Sequence, residues 1–156
     1  MKTYRMSLLL LVAFVATLFV FSDAEAQRRG RGRGRGYTKS DVNRVIQRVE
    51  TRSDAFVSVL DRALDRSRLD GSRREDELNR LAQQLENQLD TVRRDFDRRD
   101  GYYETRPEIA RVLNIANNIN NTMQRRRLGR EAERSWAALR ADLNALANVY
   151  GLPRVN

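Results

Sequence analysis

Residues 40–69 read SDVNRVIQRVETRSDAFVSVLDRALDRSRL. Val42, Val45, Ile46, Val49, Phe56, Leu60, Ala63 and Leu64 recur three and four positions apart. At 100° per residue they gather in one stripe about 120° wide, the signature of a helix with one face against a core. Asp70-Gly71 ends this helix, and Ser72-Arg73-Arg74-Glu75 has the Ser-x-x-Glu form of a capping box. A second helix, 73–99, follows with Leu78, Leu81, Leu85, Leu89, Val92 and Phe96 on its seam. So short a break between two long helices predicts an antiparallel hairpin.

The same grammar continues outward. Asp100-Gly101-Tyr102-Tyr103-Glu104 is a break, and Thr105-x-x-Glu108, with Pro107 in the first turn where a missing N–H is harmless, opens a helix over 106–126. That helix carries Ile109, Val112, Leu113, Ala116, Ile119 and Met123, and Arg125-Arg126-Arg127 suits the negative end of its dipole. Gly129 is the cap of a fourth helix, 130–150, with Ala132, Trp136, Leu139, Leu143, Leu146 and Tyr150 on its seam. Gly151, Leu152 and Pro153 then form a marked stop, and 153–156 are a tail.

The first two helices would be roughly 45 and 40 Å long and the last two roughly 30 Å each. With connections of a few residues, the fold class predicted is all-α, an antiparallel up-down four-helix bundle over 39–152 in which a long hairpin packs on a shorter one. Surplus length on the long hairpin leaves two readings for Phe56, Ala63, Leu64 and Leu78. Either they are half covered and offer an apolar surface to a client, a partner or a second copy, or the seam fades into polar residues, as Ser53 and Ser67 suggest.

Composition narrows the chemistry. Of 156 residues none is His and none is Cys, which removes the side chain that titrates near neutrality, the thiolate nucleophile and every sulfur-held metal or disulfide. The di-metal helical bundles need Glu-x-x-His and are excluded, and no carboxylate lies on a seam where a paired-carboxylate centre could form. The expectation is a protein that is not an enzyme and that uses no metal or cofactor.

The amino-terminal part is of another kind. Lys2 and Arg5 precede Met6 to Phe21, MSLLLLVAFVATLFVF, whose only polar members are Ser7 and Thr17, and Ala24-x-Ala26 follows. This is the plan of a signal peptide, 1–26, cleaved between Ala26 and Gln27, which predicts an exported, periplasmic or secreted chain with no transmembrane span left after cleavage. An uncleaved anchor is the rival, but a run of sixteen residues reaches about 24 Å against a hydrocarbon core of roughly 30 Å.

Charge is unevenly shared. The chain carries 30 Lys and Arg against 21 Asp and Glu, a net +9. Residues 27–36, QRRGRGRGRG, hold Arg28, Arg29, Arg31, Arg33 and Arg35 with no acid. The segment 27–38 is therefore predicted to be a disordered basic arm, because alternating glycine makes ordering entropically costly and nothing apolar is there to bury. Guanidinium groups on so pliant a backbone can fork onto phosphate or carboxylate, giving anion binding that is blind to sequence and sensitive to salt. The arm resembles the Arg-Gly boxes of RNA-binding proteins. Those interleave aromatic residues for base stacking, whereas here only Tyr37 follows, so no specific nucleic acid is expected and an anionic envelope surface or polyanion is the partner read from the arm. The alternative is a flexible spacer whose arginine reflects genome composition, given 28 Arg and two Lys in all.

Asn114, Asn117, Asn118 and Asn121 lie mostly opposite the apolar stripe of the third helix and read as a solvated face, whereas Asn120 falls near the stripe and reads as a buried polar residue that fixes register. Ala137, Ala141 and Ala145 admit a second helix or simply favour helix. Asp41-Arg44, Asp65-Arg68, Asp76-Arg80, Asp90-Arg94, Asp95-Arg99, Glu108-Arg111 and Glu131-Arg134 are spaced as surface ion pairs.

The stretch Trp136-x-x-Leu139-Arg140-x-Asp142-Leu143-x-x-Leu146-Ala147-x-x-Tyr150, preceded by Met123-x-Arg125-x-x-Leu128, resembles a C-terminal pattern that recurs in uncharacterised exported all-helical proteins of soil bacteria. That resemblance implies export and an all-helical domain and carries no activity. Arg140 and Asp142 sit on opposite flanks of the apolar seam, so each is expected to reach a neighbouring helix. The size also suits small periplasmic chaperones, although their Leu-Thr-x-x-Gln motif is absent. Two functional expectations result: an interaction or structural module tethered by its arm, or a periplasmic chaperone or adaptor that uses the long hairpin.

Overall fold

A computed structural model describes residues 36–66, 71–125 and 128–156. The predicted signal segment with its Ala26–Gln27 junction, and Arg28, Arg29, Arg31, Arg33 and Arg35 of the arm, lie outside the described residues.

Four α-helices form where the periodicity places them. They are α1 Lys39–Asp65, α2 Arg73–Arg98, α3 Arg106–Gln124 and α4 Arg130–Tyr150, with a 3-10 turn at Tyr102–Thr105. Each helix packs on its two neighbours in the order α1, α2, α3, α4 and back to α1, which is an up-down-up-down four-helix bundle. The closest pairings run between the hairpins, α1 against α4 and α2 against α3. The seam residues named from the sequence fill a single apolar core, with Val42, Ile46, Val49, Phe56, Leu85, Ile109, Ile119, Leu139 and Leu143 all inaccessible to solvent.

The helix ends differ from the reading in instructive ways. α1 begins one residue early because Thr38 caps it: its hydroxyl accepts the Asp41 N–H at 3.1 Å while Asp41 Oδ2 accepts the Thr38 N–H at 3.0 Å. Those bonds from Thr38, with Arg44 adding to them, lower the Asp41 carboxyl to about 2. At α2 Ser72 caps as expected, but Glu75 reaches one residue further back and accepts the Gly71 N–H at 2.6 Å. The expected Thr105-Glu108 capping box does not form. The Thr105 hydroxyl turns inward, and the 3-10 turn runs straight into α3, so the Arg106 N–H is taken by the Tyr103 carbonyl instead. α1 also ends at Asp65 rather than 69, with Arg66 as its cap.

At the far end of α4, Gly151 adopts φ 60°, and Leu152 N–H reaches back to the Ala147 carbonyl at 2.9 Å. This is the expected glycine stop, in a left-handed conformation that a side chain at that position would strain.

Of the two readings of the long hairpin, the half-covered apolar surface does not appear among the described residues. Phe56, Leu64 and Leu78 are buried and Ala63 is half-buried. Leu128, between α3 and α4, joins the core, and Tyr37, Tyr102, Leu152 and Val155 of the other non-helical segments do so as well. Among the described residues Tyr103 is the only large apolar side chain that is exposed. No helix of the described residues is long and apolar enough to cross a membrane.

Candidate functional site

The residues of the α4 pattern converge on two structural constellations. The first centres on Asn120 of α3, which is 1% exposed. Its Oδ1 accepts from Trp136 Nε1 at 2.9 Å and from Arg140 Nη1 at 3.3 Å, and its Nδ2 donates to the Asn156 carbonyl. The indole packs against Phe56 of α1, ring centroids 5.2 Å apart. One buried amide thereby ties α3, α4 and the last residues of the chain together.

The second uses the other flank of α4. Asp142 takes Arg52 of α1 at 2.5 Å and Arg48 at 3.5 Å. Arg140 thus reaches α3 and Asp142 reaches α1, as opposite placement on the helix surface requires. Leu139, Leu143 and Leu146 between them are fully buried.

Residues 153–156, read from the sequence as a tail, lie against α3 and α4. Val155 is buried, and Asn144 grips its backbone from both sides, donating to its carbonyl at 3.2 Å and accepting its N–H at 2.8 Å. Asn117, read as part of a solvated face, accepts the Asn156 N–H at 3.4 Å. Asn114, Asn118 and Asn121 are exposed as expected. Nothing local to 111–121 distinguishes Asn117 from its neighbours, because its partner lies 39 positions away.

Ion pairing also departs from the local pattern. Among the described residues the expected pairs Asp41-Arg44 and Glu108-Arg111 form. Arg99 instead turns to Glu104, and Arg134 donates to the Arg130 carbonyl. The bundle adds a clamp the sequence reading missed: Arg93 of α2 forks onto Glu50 of α1 and donates to Asn43 at 2.6 Å. The bonds to Glu50 raise the pKa of this half-buried guanidinium further above its usual value. Bidentate geometry between helices is worth more than an exposed pair along one helix.

Tyr102 and Tyr103 cap the end of the bundle where α2 turns into α3. Both pack on Tyr150, Tyr102 edge-on at 5.8 Å and Tyr103 nearly parallel at 6.3 Å. The Thr105 hydroxyl donates to the Tyr102 carbonyl at 2.8 Å, so in the 2.9 Å contact between Thr105 Oγ1 and Tyr150 the phenol is the donor. Burial pushes the Tyr150 phenol up to about 12, from 10. A raised folded-state pKa contributes stability that is whole below pH 10 and is lost as pH climbs from 10 to 12. The bundle should therefore lose about 1–2 kcal/mol of stability over that interval. Tyr150→Phe should flatten this dependence in denaturant titrations at pH 9, 10.5 and 12, and an unchanged slope would remove the assignment.

No three carboxylates converge as metal ligands would among the described residues. Comparison of the chain with protein-family models, curated proteins and solved structures finds no match.

Proposed function

We propose that the chain is an exported, non-enzymatic interaction or structural module, a rigid helical bundle held at an anionic envelope surface by its Arg-Gly arm. The observation that carries this reading is the segregation of charge. The arm holds five arginines and no acid in ten residues, while residues 36–156 hold 23 basic and 19 acidic groups. Many of the bundle's arginines that can be described are engaged with carboxylates or carbonyls, as Arg52, Arg93, Arg99 and Arg134 are. The polar groups of the α4 pattern are spent on holding helices together, which fits a scaffold.

The test is association of the chain from Gln27 onward with isolated envelopes at two salt concentrations, with Arg28, Arg29, Arg31, Arg33 and Arg35 intact or replaced by Ser. Each cation near an anionic surface contributes about 1 kcal/mol. Replacement of all five should weaken association by a factor of several hundred or more at low salt, and raised salt should narrow the gap. Equal binding by the two forms at low salt would end this reading of the arm.

A further inference from the structure

Two rows of side-chain amides flank the segment 154–156. Asn117, Asn120 and Gln124 follow one another three and four positions apart on α3, and Asn144 and Asn148 stand four apart on α4, the spacings that keep residues on one face of a helix. Their bonds to the segment run mainly to its main chain. Asn144 accepts the Val155 N–H at 2.8 Å and donates to the Val155 carbonyl at 3.2 Å. Asn117 accepts the Asn156 N–H at 3.4 Å, and Asn120 and Gln124 both donate to the Asn156 carbonyl, Gln124 at 3.5 Å. Two side chains of the segment take part. Arg154 donates to Asn148 at 3.1 Å, and Val155 is buried at 3% exposure. Arg154 and Asn156 are exposed on either side of it, the out-in-out alternation of an extended strand.

Covering the core does not ask for this arrangement. A cover needs apolar side chains, and of residues 153–156 only Val155 is buried. An amide side chain offers a donor and an acceptor without charge, so it pairs with the N–H or the carbonyl of any residue. Amides aimed at consecutive peptide units, beside one socket for an aliphatic side chain, are the two parts of strand recognition: main-chain bonds for affinity and a pocket for selectivity. The resident segment is also held locally. Residues 153–156 belong to no helix, and Leu152, whose N–H is bonded to the Ala147 carbonyl, can stay behind when they leave. Segments with so few buried contacts open at a small fraction of the free energy of global unfolding.

From this we infer that the α3–α4 face is a binding site for an extended segment of another polypeptide, and that residues 154–156 are its intramolecular occupant and competitor. The ligand carries Val or Ile at the socket. The residue after it is not proline, because Asn117 takes its N–H, and the two flanking side chains face water and are unrestricted. A resident segment on so short a connection acts at a millimolar or higher effective concentration. The site is therefore mostly closed, and an outside ligand sees an affinity reduced by the fraction of chains that are open. This role goes beyond tethering to an anionic surface and does not depend on the arm.

The test compares the isotope-labelled chain from Gln27 onward with two forms in which the segment is released: Val155→Asp, and a second in which residues 153–156 are replaced by Gly-Ser-Gly-Ser. Circular dichroism verifies that each is folded, and the second form serves if a charge at position 155 disturbs the first. The capped peptide LPRVN is titrated while the side-chain amide signals of Asn117, Asn120 and Asn144 are followed by NMR. The released forms should show saturable shifts with a dissociation constant of about 1 mM, and the parent should bind about tenfold more weakly or less. The peptide LPEVS, altered only at the flanking positions, should bind within about threefold of LPRVN, whereas LPRDN and LPRVP should bind about tenfold more weakly or less. No saturable shift in the released forms up to about 10 mM peptide, equal binding of LPRVN and LPRDN, loss of binding by LPEVS, or a parent that binds as well as the released forms overturns the proposal. Shifts produced by the unlabelled parent chain but not by the peptide would mean that copies exchange this segment with one another, and would overturn it as well.

Discussion

Trp136→Ala should lower the stability of the bundle by about 3–5 kcal/mol, the range for removing a buried aromatic side chain. Trp136 is 5% exposed and fills the space between α4, α1 and α3, packing at a tilt against Phe56 and donating to Asn120. Three losses combine: the transfer free energy of the indole, the void it leaves, and the hydrogen bond that satisfies half of the Asn120 carbonyl oxygen. A single domain has only about 5–15 kcal/mol in all, so the variant should melt about 12–20 °C lower. Trp136→Phe keeps most of the ring contact with Phe56 and loses the N–H, and should cost about 1–2 kcal/mol. Chemical denaturation of both variants separates the two contributions. If Phe were as damaging as Ala, packing would not be what Trp136 supplies.

How much of this was legible beforehand follows from the range over which each feature is encoded. The stripe Val42, Ile46, Val49, Phe56 and Leu60 is written within one helix, since period 3.6 and burial are both local properties, and the structure buries each of these residues. The opposite flanking of Arg140 and Asp142 was equally visible, because helix geometry fixes the angle between two residues that are two apart. Asn120 could be singled out by its position near the stripe. The partners could not be named, as Trp136 and Asn156 lie 16 and 36 residues away. Thr105 was misread for the same reason. Ahead of Pro107 and Glu108 it has the form of a cap, yet Tyr150, 45 residues on, draws its hydroxyl into the core. Asn117 and Asn144, with the docked residues 153–156, are the remaining case. Amides on a helix face read as solvated until a strand of chain with unpaired backbone groups lies over them. Of the candidate sites, the α4 pattern has its polar members in contact with α1 and α3, whereas the arm is read from its charge alone.

Asn120→Leu should be the second most damaging single change, at about 2–4 kcal/mol, although Leu is apolar and branches in the same way. The substitution takes away the acceptor of the Trp136 N–H at 2.9 Å and of Arg140 at 3.3 Å, and the donor to the Asn156 carbonyl. Arg140 can turn outward to water, but the indole N–H is held by the packing of its ring and keeps its desolvation penalty of about 1–3 kcal/mol. The loss of the Asn156 anchor should also loosen the end of the chain, seen as faster amide exchange at Val155 than in the parent. The decisive measurement is the double variant. When both partners of a buried hydrogen bond are replaced by apolar groups, the orphaned donor disappears with the acceptor. Asn120→Leu combined with Trp136→Phe should therefore be about 1–2 kcal/mol more stable than the sum of the single changes predicts. Simple additivity would mean that Asn120 acts on α4 through Arg140 and the chain end alone, and that the buried bond to the indole is not what sets the register of α3 against α4.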